Sequence, residues 1–468
     1  MNRTAVLPAI TIALLGALTA CRMSGTVSGT VPALPEAWRN ASGFPTAAPD
    51  KDLSRWWVRF DDPVMKRVIG IALQSSPDIA AAAARVREAR ALRKAQASIL
   101  FPTVDASAGR NQSVTRIDAA PDRSGTTYSA GLSASWDADL FGANRQSVAA
   151  ATAAARSAQE DFYSAQASLA AETALAYVDL RTTERRLEVV RESLATRTET
   201  TQLVKWRAQA GEVDTLELRQ SESSLETARA TISVLEQSAA QIRNRLAVLA
   251  GQAPGSLNSL LSIKSPKVPV PERRLAVGIP ADTIRQRPDV RSAGHRWVAA
   301  VARTRSAQAE QLPSLRLSGS LGIDTLAASK IFNPQSASAS FITGLTAPIF
   351  NAGRLRAGVE ASDAAQEQAL QAYARSVLTA LSEVEDALIA CRRTEERIGI
   401  LESAAVSARD ADALARLRYR TKEADFDTVL DTQRTLLAIE ESLVGVRADR
   451  ASAHIQLYKA LGGGWSGQ

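Results

Sequence analysis

The chain has 468 residues, a formal net charge of +7 and a pI near 9.6. Aromatic residues make up only 5%, while alanine, serine, arginine, glutamate and leucine fill 75–100, 143–250, 281–312 and 352–462, which excludes a string of compact α/β cores and points to long helices. Arginines are interspersed with acids along every helix and His295 and His454 lie far apart in sequence, so neither nucleic acid, a metal, a cofactor nor a catalytic reaction is expected.

The N-terminus carries Arg3 followed by the apolar run Ala5 to Ala20. That run is short for a membrane span and broken by Pro8, so 1–20 reads as a removable signal peptide. Leu18-Thr19-Ala20-Cys21 resembles the lipobox of bacterial lipoproteins, which implies a covalent diacylglycerol and an N-acyl lipid, palmitate for example, on Cys21. An incidental thiol after an ordinary signal peptide is the alternative. Arg22 stands where an inner-membrane retention signal would have aspartate, which favours the outer membrane. Residues 21–60 then form a lipidated extension. Cys391 lies mid-helix with no second cysteine to pair with once Cys21 is lipidated, and reads as a small buried residue.

From there the sequence repeats itself. Ser76-Pro77-Asp78-Ile79 and Arg287-Pro288-Asp289-Val290 lie 211 residues apart, as do Phe101-Pro102 and Leu312-Pro313, Thr183 to Leu187 and Thr394 to Ile398, and Leu249-Ala250-Gly251 and Ala460-Leu461-Gly462. The chain divides into a first repeat (61–252), a proline-rich linker (253–279) and a second repeat (280–468). Each repeat reads helix, two strands, very long helix, helix. The first helix opens at its proline-aspartate pair and stops at the next proline.

Strands follow, in hairpins about 103–141 and 313–350, at Val104 to Ala108, Tyr128 to Leu140, Leu315 to Ile323 and Ser340 to Ile349. Tyr128, Ala130, Leu132, Ala134, Trp136, Ala138 and Leu140 alternate with small or polar residues, the mark of one apolar face, in a membrane or in a soluble sandwich. The polar segments Asn111 to Thr127 and Asp324 to Ala339 read as loops.

Coiled-coil hairpins then occupy about 143–251 and 352–462. Their first helices run without proline to about Ala210 and Thr421; roughly 68 residues at about 1.5 Å each make a rod of about 100 Å. Their second helices carry a seam in steps of three and four: Leu218, Ser221, Leu225, Ala228, Ile232, Leu235, Ala239, Ile242, Leu246 and Leu249, answered by Leu436, Ile439, Leu443, Val446, Arg450, Ala453 and Leu457. With Leu180, Leu187 and Leu194 on the preceding helix this predicts antiparallel coiled coils. Four strands cannot close around a lumen, whereas three chains would supply about twelve, so a transmembrane barrel requires an oligomer.

The lipobox, the paired Pro-Asp helices, Arg418-Tyr419-Arg420-Thr421, Val429 to Arg434 and the ending Leu457 to Trp465 together resemble the TolC-like outer-membrane efflux proteins, nearest to their lipoprotein, NodT-type branch. The resemblance spans essentially the whole chain. It implies a mostly α homotrimer with a twelve-stranded barrel and an α-helical periplasmic tunnel, set in outer-membrane lipid and partnered by a periplasmic adaptor and an inner-membrane transporter of the RND type. It also implies a periplasmic gate, with Tyr419 and Arg420 matching a lock between helices, Asp431 an acidic ring and Arg434 its basic neighbour. Asp427 departs from the pattern, standing where the branch commonly places a constricting leucine. Asp427 and Asp431 are four apart and share a helix face, giving either a ring of carboxylates about a threefold axis or two solvated acids near a turn. The first repeat has Leu216 and Gln220 at those positions. A competing class is a periplasmic coiled-coil adaptor or scaffold lipoprotein; an adaptor, however, is expected to carry one hairpin within a compact β-domain.

Overall fold

The computed structural model describes residues 33–41, 53–115, 123–263, 266–270, 280–330 and 333–463. The signal peptide and Cys21 lie outside the described residues. After a 3-10 segment, Leu53–Phe60, the first repeat comprises α1 (Pro63–Ser75), α2 (Pro77–Ser98), β1 (Thr103–Thr115), β2 (Arg123–Ala138), α3 (Ala143–Gln209) and α4 (Thr215–Leu249). The second comprises α5 (Pro280–Gln286), α6 (Pro288–Ala309), β3 (Ser314–Thr325), β4 (Ala337–Thr346), α7 (Arg354–Arg420) and α8 (Phe426–Ala460), and one helical turn, Asn258–Leu261, stands between the repeats.

Two features differ from the sequence reading. Each repeat opens with an additional helix, α1 or α5, ahead of its Pro-Asp helix. Asp62 starts α1 by accepting from the amides of Val64 and Met65 at 2.9 Å each. Ser76, before Pro77, is extended (φ −64°, ψ 129°), which ends α1 and lets α2 begin afresh. The strands also reach beyond their apolar stretches, so Asn111 to Thr115 and Arg123 to Thr127 are strand and not loop, as are Asp324, Thr325 and Ala337 to Ala339.

The long helices α3 and α7 have 67 residues each, about 100 Å of rod. On α3 pack α2 and α4, as well as α6 and α8 from the other repeat; α7 packs on α8 and α6. The seam residues of α4 and α8 are all buried or half-buried. Helix α6 is thus wedged between both long helices, whereas its counterpart α2 has α3 as its one substantial long-helix partner among the described residues.

The largest core lies midway along the rods, where Trp38, Trp56, Phe60, Met65, Tyr177, Leu388 and Tyr458 cluster. Trp56 stacks on Tyr458 with ring centroids 5.4 Å apart and planes at 11°. Arg181 is fully buried there, donating to Glu184 (2.6 Å) and to the Leu261 carbonyl (2.9 Å), and so fastens the inter-repeat segment to α3. Cys391 is buried 3.6 Å from His454 Nδ1, and burial pushes its thiol up to about 12. Gly251 ends α4 at φ +66°, and a Cβ there would sit 2.2 Å from the Ser75 carbonyl oxygen, so only glycine lets α4 dock end-on against the α1–α2 junction.

Candidate functional site

The four strands form one antiparallel sheet in the order β1-β2-β3-β4. Cross-strand register puts Ala106, Leu132, Leu321 and Ala339 in one row and Val104, Ala134, Gly319 and Phe341 in the next, with Trp136, Leu317 and Leu345 further along the same face. The opposite face carries Asp105, Ser133, Ser320 and Ser340 in one row and Asp137 and Arg316 in another. Ser320 and Ser340 share a hydroxyl hydrogen bond of 2.8 Å, and Arg316 lies 3.7 Å from Asp137. The apolar face is bare: Leu132, Leu321, Leu345 and Phe341, the last 74% exposed, have no helix or second sheet packed over them among the described residues. Among the described residues the outer edges of β1 and β4 have no strand partner. A surface that is greasy on one side, hydroxyl-lined on the other and open at both edges suits a wall between hydrocarbon and a water-filled lumen, once its edges are paired. Phe101, Leu140, Phe141, Ile349 and Phe350 are exposed where the strands hand over to helices.

At the far end of the rods the two hairpins meet. Tyr419, at the end of α7, is only 4% exposed and packs with Val204, Phe426, Val429 and Leu430. Its hydroxyl donates to Glu217 Oε2 on α4 (3.0 Å). The Arg207 guanidinium at the end of α3 lies over its ring, 4.8 Å from the centroid, and donates to the carbonyls of Tyr419 (3.1 Å) and Arg420 (3.2 Å). Lys422 and Glu212 add an exposed ion pair at 3.2 Å between the two turns. Burial raises the Tyr419 hydroxyl pKa, Arg207 opposes this, and the Glu217 carboxylate raises it further.

The sequence singled out five tip residues, and they fall into different settings. Tyr419 is the buried centre of a latch between hairpins; the Arg420 side chain is exposed, and its carbonyl makes the contact. Asp427 and Asp431 are both exposed, and Asp431 pairs with exposed Arg434 at 3.6 Å. Arg207 and Glu217, which complete the latch from the first repeat, escaped the sequence reading. Their only local sign was a basic and an acidic residue flanking the turn Gly211 to Asp214. Beside the latch, a groove of about 530 Å³ between the hairpins is lined by Trp206, Gln202, Arg416 and Arg420, with Trp206 exposed.

The family model for outer membrane efflux proteins matches residues 68–252 and again 279–463, the two repeats in turn. The chain is 33% identical over 444 residues, 92% of each protein, to a pyoverdine export outer membrane protein, OpmQ, of Pseudomonas putida. It is 32% identical to the toluene efflux pump outer membrane protein TtgF of P. putida, over 90% of this chain and 87% of that one. Among solved structures, the outer-membrane channel OprN superposes with a TM-score of 0.86 at 28% identity, covering 93% of this chain and 99% of OprN. The outer membrane protein VceC of Vibrio cholerae superposes with a TM-score of 0.81 at 25% identity, over 87% and 98%. The two-faced, open-edged sheet, the paired rods and a duplicated family match over most of the chain lead to one conclusion: this chain belongs to the outer membrane efflux protein family and is the outer-membrane channel of an efflux pump.

Proposed function

We propose that three copies close their four-stranded sheets into one twelve-stranded barrel and their rods into a tunnel that gives exported molecules passive passage out of the periplasm. One observation carries the reading: every element that would face a neighbouring copy is left uncovered in a single chain. The edges of β1 and β4 are unpaired among the described residues. Among the described residues helix α2 lacks the second substantial long-helix partner that α6 has. Leu378, Ile389, Ile400, Leu414 and Leu417 on α7, and Leu216, Val234 and Val248 on α4, are exposed apolar residues close to one stripe on each helix. A cyclic arrangement covers all of them with heterologous contacts, and the barrel then has no edge left in hydrocarbon.

The remaining roles follow from that arrangement. Cys21 carries the acyl lipids that tether the N-terminus to the outer membrane. The Tyr419–Arg207–Glu217 latch holds the tips together at the periplasmic entrance, Asp427 and Asp431 contribute carboxylates to its rim, and Arg420 and Arg434 are their basic neighbours. A periplasmic adaptor docks on the tips, the exposed Trp206 and the adjoining groove offering it an apolar anchor, and an inner-membrane transporter, of the RND type, supplies the energy and chooses the cargo. Named relatives that export pyoverdine and toluene share this frame, in keeping with a duct that selects little.

Reconstitution tests the proposal. Detergent-purified protein is expected to have the mass of a trimer by native mass spectrometry and to give discrete conductance in a planar bilayer. A monomer that stays dispersed without detergent and never conducts would overturn it. For the anchor, Cys21→Ser is expected to lose the lipid mass increment, and an unchanged mass would remove the lipoprotein assignment.

A further inference from the structure

A separate pocket of about 450 Å³ lies between α3, α4 and α8 and is lined by Arg197, Arg219, Gln220, Ser223, Ser224 and Arg434. Three guanidinium groups from three helices thus border one space. Two of them have acidic partners at the surface: Arg219 bonds Glu222 at 2.8 Å and Arg434 lies 3.6 Å from Asp431. Arg197 is different. It is only 8% exposed and has no carboxylate within salt-bridge distance among the described residues. Its Nε donates to Ser193 Oγ (3.2 Å), and its Nη1 to the Ser224 carbonyl (3.3 Å) and hydroxyl. Its Nη2 has no protein acceptor among the described residues.

A guanidinium keeps its charge inside a protein, and the Arg197 Nη2, which is not among the buried nitrogens left without a partner, is open to water or to an anion that supplies the missing counter-charge. Burial, and then the neighbouring charge of Arg434, both lower the Arg197 pKa, so the surroundings within the chain oppose this cation and do not neutralise it. Of the rest of the wall, Ser223, Ser224 and Thr227 bring hydroxyls and Gln220 an amide, all able to donate, and Leu216 is the one apolar lining residue.

We propose that this pocket binds a small oxyanion, carrying phosphate or carboxylate oxygens, with Arg197 Nη2 as its inner donor and Arg219 and Arg434 closing over it. Guanidinium groups match such oxygens in planar, charge-assisted contacts. Because Arg197 and Arg219 belong to the first hairpin and Arg434 to the second, a bound anion also ties the hairpins together near the tip. That consequence rests on reading the tips as the gate; the binding itself does not.

Calorimetric titration of the detergent-solubilised full-length protein with inorganic phosphate at fixed ionic strength tests the site. The parent is expected to bind saturably, one anion per protomer. Arg219→Gln and Arg434→Gln, at exposed positions, should each weaken binding about tenfold, the loss of one charge-assisted contact, and Arg197→Gln should abolish it. Absence of saturable binding in the parent, or equal binding in the Arg219→Gln/Arg434→Gln double variant, overturns the proposal. Calorimetry needs no open or closed channel, so that failure leaves the gate reading standing. In bilayers, phosphate should lower the open probability of the parent and not of the double variant.

Discussion

Removing a single oxygen from the tip tests the latch most sharply. Tyr419→Phe keeps the ring that packs against Phe426 (centroids 5.6 Å apart) and lies under Arg207, and deletes only the bond from its hydroxyl to Glu217. A hydrogen bond to a charged acceptor contributes about 1.5–3 kcal/mol; Glu217 is half-buried, so the lower end, about 1.5 kcal/mol, applies. If the bond exists only while the hairpins touch, its loss raises the ratio of open to closed tips about tenfold. Arg207→Gln removes more: the contact over the ring, about 1–2 kcal/mol when desolvated, and charge-assisted bonds to two carbonyls. Its effect should exceed that of Tyr419→Phe by at least another factor of ten. Single-channel recording at low voltage reads both as open probability, and Glu217→Gln should act on the same bond, so that Tyr419→Phe adds little to it. Equal open probability in the parent, Tyr419→Phe and Arg207→Gln would show that these side chains do not hold the entrance shut.

Other perturbations read other parts of the molecule. Gly251→Ala places a Cβ against the Ser75 carbonyl oxygen at a positive φ and is expected to cost about 3 kcal/mol or more, seen as a markedly lower thermal midpoint in detergent; an unchanged midpoint would mean that α4 does not dock end-on against the α1–α2 junction. Phe341→Lys charges the bare face of the sheet, which costs about 2–4 kcal/mol at mid-membrane, and should deplete folded protein from the outer membrane, whereas Ser340→Lys on the other face should be tolerated; the reverse ranking would invert the lumen assignment. At Asp289, burial alone would raise the carboxyl pKa, but the bonds from Arg287, 3.0 and 2.7 Å, outweigh it and hold it below the ordinary aspartate value. Its stabilisation is therefore present above that pH and lost as pH falls through the lower folded value, so Asp289→Asn should flatten the acid limb of a melting profile; identical limbs would exclude the ion cluster.

Repetition was the most legible feature of the chain. Pro77 and Pro288, Pro102 and Pro313 are rigid punctuation whose effect on the backbone does not depend on context, so equal spacing translated directly into equal architecture. The seam from Leu218 to Leu249 was readable because burial in a helix pair depends on a local period. The ends of the strands were hidden, because Asn111 to Thr115 and Arg123 to Thr127 hold one apolar side chain, Val114, between them, and their pairing follows from backbone register, not from apolar alternation. Helix α1 was overlooked although Asp62-Pro63 is a capping signal, since the stronger Pro77-Asp78 signal follows so soon. The latch was half seen: Tyr419 was recognised through a motif in the second repeat, but Arg207 and Glu217 come from the first, and sequence distance says nothing about which turn meets which. Arg197 shows the same limit from another side, because a buried arginine amid a helix rich in charges looks, in sequence, like any solvated one.

The wedge of α6 between two rods has a consequence for how the tube comes together. A ring of six like modules built from three duplicated chains has only three joints that diffusion must make; the other three are supplied with the polypeptide. Association therefore scales with the third power of concentration where separate modules would need the sixth. Duplication also lets neighbouring modules diverge, which is how carboxylates came to stand at 427 and 431 while leucine and glutamine stand at 216 and 220.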